Sequence, residues 1–350
     1  MLNKVFHKPK KGNRTITRSH TNTITLIHFK LQGGEYMHKK VLFFSSIATT
    51  LVASATALSG YLLSNKLMYI KQKDPAFILE RETKAKRFDK AWFDTCPKET
   101  ISIESKNGYT LSGIFLKPLT TNDTIIICHG VTENKFNSIK YARMFHNLGF
   151  NTVVYDHRRH GETGGKTTSY GYYEKLDLQQ IVTYVREQIG PHAKLGIHGE
   201  SMGAATTLLY AGDVADEADF YIADSAFSDF RQLLYCIMKN SIAIELKLAV
   251  YVTDLLLRLR DGYTSKRISP IAVTPNIVKP VLFIHNKLDT FIPASMSEDL
   301  FAAKTGDKML HLFDVGDHTQ AYNETPDEYE KVVSEFLQRY VLSTHYHESA

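Results

Sequence analysis

KLGIHGESMGAATTLLYA, residues 194–211, sets a short apolar run, the pentapeptide Gly-Glu-Ser-Met-Gly and a helix-forming run side by side. A strand, Gly-x-Ser-x-Gly and a helix in that order describe a turn so sharp that the serine hydroxyl projects above the sheet. Gly199 and Gly203 serve it sterically, since a side chain at either position would crowd the neighbouring strand or helix. Ser201 is therefore the candidate nucleophile. The reading then depends on whether an acid and a histidine follow in the right places.

Working outward, the chain alternates. Runs at 101–105 and 111–116 flank Asn107-Gly108, a strong hairpin signal. Strand-like runs follow at 124–128, 152–155, 194–198, 220–223, 281–285 and 308–313, and helical spacing at 139–148, 174–188, 204–211, 295–304 and 327–340. A hairpin followed by strand–helix alternation predicts an α/β fold with a mostly parallel sheet flanked by helices. Ligands bind such sheets beyond the carboxyl ends of the strands. Residues 228–279 interrupt the alternation with dense apolar helical runs. They are expected to form a small helical cap inserted before the acid-bearing strand, shaping an acyl cleft, leaning on a membrane, or simply packing on itself.

Asp289 follows the 281–285 strand in VLFIHNKLDTFIP, and His318 follows the last strand in VGDHTQ. Ser201, Asp289 and His318 thus stand in serine–acid–histidine order, each just past a strand. A free hydroxyl is a weak nucleophile. His318 would take its proton, and Asp289 would fix the imidazole tautomer and stabilise the imidazolium. Asp224, after the 220–223 strand, is the runner-up acid. The loop His129-Gly130-Val131 ends the 124–128 strand, so the backbone N–H groups of Val131 and Met202 are the expected oxyanion donors. A structural role is expected for His129 and for the buried-strand His198. Asp156-His157-Arg158-Arg159-His160 holds an HxxH spacing on a turn without a third ligand, which argues against metal. Asp156 is expected to pair with Arg158 or Arg159, and Glu200 with that same basic loop.

Composition is that of an ordinary globular enzyme, 43% hydrophobic and 23% charged. The net charge of +5 is concentrated at the front, where residues 1–40 carry nine Lys/Arg against one acid. The remainder is slightly acidic, which gives no footprint for nucleic acid. Cys96, Cys128 and Cys236 lie far apart and read as small hydrophobes rather than a disulfide or zinc framework. No metal or organic cofactor is called for.

Residues 41–63 contain no charge and are long enough to cross a bilayer as a helix. Residues 37–66 are thus expected to be a single-pass anchor in a bacterial cell membrane, contacting lipid. The rival is a signal peptide, cleaved at Ala53-Ser54-Ala55 or Ala55-Thr56-Ala57 to leave a secreted protein. Flanking Lys/Arg are too evenly split to orient the segment. Residues 1–36 lack periodicity and read as a disordered or non-native leader, with Met37 as the expected start. Residues 67–100 read as a linker and docking helix, and 101–342 as the catalytic body.

These motifs match a family. The body from about residue 77 to 342, with IICHGVT (126–132), YDHRRHGETGGKTTSYG (155–171) and GIHGESMGA (196–204), resembles the α/β-hydrolase superfamily. The likeness is to its serine aminopeptidase/lysophospholipase-like branch, and within it to small membrane-anchored bacterial hydrolases of undefined substrate. The resemblance implies Ser201 as nucleophile, Asp289 as acid, His318 as base, and Val131 and Met202 as oxyanion donors. Glu200 departs from it, standing where a histidine is common. The expectation is a serine hydrolase acting on a small-molecule ester, thioester or amide, carboxylesterase- or lipase-like first. Peptidase or acyltransferase action is the alternative, and a non-enzymatic, membrane-tethered binding module the competing class. Protein partners are not specified by the sequence.

Overall fold

The computed structural model describes residues 20–242 and 247–342. In chain order these are α1 (His20–Met68), α2 (Pro75–Lys84), α3 (Lys90–Thr95), β1 (Lys98–Glu104), β2 (Thr110–Leu116), β3 (Thr124–Cys128), α4 (Ile139–Asn147), β4 (Asn151–Tyr155), α5 (Glu174–Ile189), β5 (Leu195–Glu200), α6 (Met202–Asp213), β6 (Phe220–Asp224), α7 (Phe230–Ile242), α8 (Lys247–Asp261), α9 (Pro270–Val273), β7 (Val281–Asn286), α10 (Ser295–Ala303), β8 (Lys308–Phe313), α11 (Ala321–Glu324) and α12 (Pro326–Leu337). Residues up to Thr56 and those from Ala57 onward form separate compact units.

The second unit is built on one eight-stranded sheet in the order β1-β2-β4-β3-β5-β6-β7-β8. The hairpin β1–β2 is antiparallel and β2 pairs antiparallel with β4, whereas β4 through β8 run parallel. The interior strands β3, β4, β5, β6 and β7 are buried at every residue. That is why they read as continuous apolar runs rather than alternating ones. One face is covered by α5, α6 and α10, with Leu178, Ile181, Val185, Ala204, Leu208 and Leu300 in the core. The other is covered by α4 and α12, through Ile139, Phe145, Val332, Val333 and Phe336. Truncating a fully buried phenylalanine such as Phe336 to alanine would cost about 3–5 kcal/mol.

Residues 228–279 lie between β6 and β7, where α7 and α8 build a third apolar cluster with Met202, Phe227, Phe230, Leu233 and Leu257. The same cluster takes Leu67 and Met68 from the end of α1. Gly60 lies flat against α8, where a Cβ would come within 2.5 Å of Val252 Cγ1. Arg260 donates to Ser64 Oγ at 3.0 Å and Asn65 Oδ1 at 2.9 Å. From Ala57 onward, α1 is therefore part of the catalytic body. In the first unit, residues 37–56 are helical and almost wholly exposed. Over Met37–Met68 the helix is long and apolar enough to cross a bilayer, compatible with an anchor or a signal sequence. Residues 20–36, read from sequence as an irregular leader, are also helical, while residues 1–19 of that leader lie outside the described residues.

Candidate active site

The turn at 199–203 carries the strain its sequence announces. Ser201 sits at φ 56°, ψ −114°, a conformation that costs a non-glycine residue on the order of 1–3 kcal/mol. Its N–H is held by Asp224 O at 2.8 Å. A Cβ on Gly203 would lie 2.1 Å from Cys128 O, and one on Gly199 would lie 2.4 Å from the Gly203 carbonyl carbon. Only glycines let β5, β3 and the first turn of α6 approach this closely. The registers Cys128↔Gly199 and Glu200↔Asp224 then bring the carboxyl ends of β3, β5 and β6 level beneath the serine.

Two loops complete the constellation. His318 Nε2 lies 2.8 Å from Ser201 Oγ, and His318 Nδ1 lies 2.6 Å from Asp289 Oδ2. The residues are 117 and 29 apart along the chain, and the sheet's upper edge brings all three together. Asp289 Oδ1 accepts the N–H groups of Phe291 at 2.9 Å and Ile292 at 2.8 Å. Burial works against ionising this carboxyl. The hydrogen bonds from His285, His318 and the Ile292 amide prevail and hold it far below the usual carboxylate range. Asp317 anchors the Asp289 loop, accepting from Thr290 N–H at 2.8 Å.

His285, in the last turns of β7, is a residue that the sequence reading missed. Its Nε2 reaches Asp289 Oδ2 at 3.1 Å and Ile292 O at 2.9 Å, and its Nδ1 meets Ser297 Oγ at 2.6 Å. A carbonyl only accepts, so Nε2 carries the proton and Nδ1 accepts from the serine hydroxyl. The one available signal was an imidazole in the apolar run VLFIH, four residues before the acid.

The 129–131 loop is rigid for a different reason. His129 Nδ1 donates to Gly130 O at 2.7 Å and its Nε2 accepts the His157 N–H at 3.0 Å. His160 Nδ1 donates to Arg158 O at 2.9 Å and its Nε2 accepts the Thr132 N–H at 3.1 Å. Burial drives all three histidines toward the neutral form, His160 to about 3. They serve as fixed hydrogen-bond connectors beneath the loop. Among the described residues no group of His, Cys, Asp and Glu is arranged to hold a metal ion. The backbone N–H groups of Val131 and Met202 have no protein acceptor among the described residues, and both residues line cavities that reach Ser201.

Two expected pairings are corrected. Glu200 does not reach the 156–161 loop. Lys140 at 3.0 Å and the Tyr141 hydroxyl at 2.7 Å, both opening α4, take it instead. Asp156 is bound by Lys135, through Nζ at 2.6 Å and the backbone N–H at 2.8 Å, because the loop after β3 crosses over the end of β4. Arg158 turns to Thr167 and Arg159 to Ile70 O. Asp224 joins no histidine. Its Oδ2 accepts from Tyr329 at 3.0 Å, and burial beside Glu200 pushes its carboxyl up to about 6. His198 bonds Tyr329 at 2.8 Å within the core. All three cysteines are free, Cys96 and Cys128 buried.

Two cavities meet at Ser201. One, about 180 Å³, is apolar and walled by Leu63, Leu67, Tyr170, Phe230, Leu234 and Ile237. The other, about 430 Å³, is polar and holds His318, Val131 and a group of charged side chains.

Residues 120–261 match the family model described as serine aminopeptidase, S33. The uncharacterised protein YqkD of Bacillus subtilis is 42% identical over 302 residues, covering 86% of this chain and 97% of that protein. The chain belongs to the α/β-hydrolase superfamily. The hydrolase is also 26% identical to the uncharacterised protein YfhR of Escherichia coli K12 over 262 residues, 70% of this chain and 82% of that one. Its fold matches the esterase Pf2001 of Pyrococcus furiosus with a TM-score of 0.59 at 23% identity, covering 72% of this chain and 97% of the esterase.

Proposed function

We propose that this hydrolase cleaves a carboxylic ester through an acyl-enzyme on Ser201. The supporting observation is the continuous line from Ser201 Oγ through His318 to Asp289 Oδ2, with contacts of 2.8 and 2.6 Å. Ser201 Oγ attacks the carbonyl carbon as His318 Nε2 takes its proton. Asp289, kept ionised, holds the proton on Nδ1 and balances the imidazolium. The Val131 and Met202 N–H groups, the latter at the positive end of α6, face the developing oxyanion. Collapse breaks the bond to the leaving oxygen, which receives the proton from His318. Water then attacks the acyl-serine with the same base and releases the acid. His285 is a positioning residue that holds the Asp289 carboxylate toward His318.

The apolar cavity supports a medium acyl chain as the substrate's buried half. Thioesters or amides would use the same groups, and the serine aminopeptidase description of the matching family keeps peptide cleavage as the second reading. Full-length protein assayed on p-nitrophenyl esters of increasing length should peak at medium chains and lose turnover in Ser201→Ala. Aminoacyl p-nitroanilides cleaved faster than every ester would favour the peptidase. A folded protein inert on both would favour a binding module. Residues 41–63 are assigned to a single-pass anchor in lipid, which sedimentation of the protein with membranes after alkaline carbonate washing would support and its release would contradict.

A further inference from the structure

We propose that the polar cavity beside Ser201 binds an oxyanion, phosphate or carboxylate, carried by the substrate's leaving group. The inference deepens the ester-hydrolase reading and rests on it for the words leaving group, though not for the binding site itself. Four cations line this cavity, Lys73, Arg81, Arg87 and Lys140, against three carboxylates, Glu82, Glu133 and Glu200. Every cation has an acidic partner, so charge pairing alone does not decide what else the cavity takes. The balance of hydrogen-bond donors and acceptors does.

Glu82 and Glu133 are the heavily engaged carboxylates. Glu82 accepts from Arg81 Nε at 2.7 Å, from Arg87 Nε at 2.7 Å and Nη2 at 3.2 Å, and from Asn137 Nδ2 at 3.4 Å. Glu133 accepts from Arg81 Nη1 at 3.1 Å and Nη2 at 2.8 Å, and from Lys73 Nζ. Glu200 accepts from Lys140 and Tyr141 through Oε2, which leaves its Oε1 as an acceptor on the Ser201 side. A guanidinium carries five N–H donors and an ammonium three. The bonds above engage only the Nε and Nη2 of Arg87 and one donor of Lys73, so Arg87 Nη1 keeps both of its hydrogens for a ligand. Around Lys73 and Arg87 the cavity therefore offers more spare donors than spare acceptors, the complement of an acceptor-only group.

Burial acts to raise the Glu82 and Glu133 carboxyls, yet the surrounding Arg and Lys side chains hold both below their ordinary range, so both stay ionised within their ion pairs. Asn137 lines the same cavity, is buried, and leaves its Oδ1 without a partner. Its Nδ2 is held by Glu82, so that oxygen is an acceptor and adds nothing to the anion-binding donors. Ser201 borders both cavities, so an ester with its acyl chain in the apolar one directs its alcohol half toward these donors.

The direct test is calorimetric titration of full-length Ser201→Ala protein with glycerol 3-phosphate, repeated with Arg87→Gln or Lys73→Gln added. Saturable binding that weakens about tenfold with either addition is expected, and no binding to the folded Ser201→Ala protein overturns the site whatever the enzyme's activity. On active protein, kcat/KM should rank 1-hexanoylglycerol 3-phosphate above 1-hexanoylglycerol and hexanoylcholine last, and Arg87→Gln should shrink the first ratio about tenfold. Equal rates on all three, or a preference for the choline ester, would overturn the assignment. Preference for the hexanoyl phosphate ester over a long-chain counterpart in phosphatidylcholine vesicles would identify a soluble substrate, and the reverse a lipid headgroup. Either result supports the site. Failure of all esters with intact glycerol 3-phosphate binding would instead count against the hydrolase reading alone.

Discussion

Two buried acids stand at adjacent strand ends, and their surroundings drive them in opposite directions. Asp289 accepts four hydrogen bonds and stays ionised far into the acid range. Its folded-state pKa lies below its unfolded one, so the stability it adds is present above the unfolded value and lost only as pH falls through the folded one. Asp224, wholly buried beside Glu200, is raised to about 6. Its contribution has the reverse sign, fully present below the unfolded pKa and lost as pH rises through about 6. Asp224→Asn, permanently neutral, should therefore gain stability over the parent at pH 7.5, by at most about 3 kcal/mol, and little at pH 4. Thermal melts at the two pH values check this, and a larger gain at pH 4 would contradict it. Turnover should separate the two acids as well. Asp289→Asn should lower kcat about 10⁴-fold, whereas Asp224→Asn should keep most activity. Retained activity in the former and loss in the latter would exchange their roles.

Among the elements, the tight strand–helix turn around Ser201 is the one the sequence displays in full. Gly199 and Gly203 are visible as letters, and the structure supplies their contact distances. Gly203→Ala would press a methyl into the Cys128 carbonyl, so a loss of about 3 kcal/mol or more is expected by chemical denaturation. A variant as stable as the parent would mean that β3 and α6 do not pack as described. The strand end carrying Asp289 was legible because a buried parallel strand leaves an unbroken apolar run, whereas His318 follows the half-buried edge strand β8 and was legible from its order after Ser201 and Asp289. Less legible was α2. Asp74-Pro75 is a helix-start signature, with Asp74 capping Ala76 N–H at 2.8 Å, but its charged residues resemble a solvated linker. Only the fold shows Arg81 and Glu82 lining the same cavity as Ser201. The partners of Glu200 and Asp156 were misassigned because proximity in sequence stood in for the side of the sheet on which each carboxylate emerges.

For the whole molecule, the end of α1 belongs to the site. Leu63 and Leu67 wall the apolar cavity, and Ser64 and Asn65 hold Arg260 of the cap. Protein beginning at residue 57 should thus keep the parent's acyl-length preference. Removing residues 1–66, or introducing Leu63→Ala with Leu67→Ala, should raise KM for octanoyl esters about tenfold while acetyl esters change little, since each lost methylene contact is worth about 0.8 kcal/mol. A uniform fall across chain lengths would point to unfolding of the cap rather than to a lost wall. The central claim is that His318 activates the Ser201 hydroxyl. A fluorophosphonate probe, with peptide mass spectrometry of the adduct, tests it most directly. The account predicts stoichiometric labelling of Ser201 in the native protein, none in Ser201→Ala, and labelling slowed at least 10³-fold in a folded His318→Ala variant. Absence of a label on folded native protein, or equally fast labelling of Ser201 without His318, would contradict it.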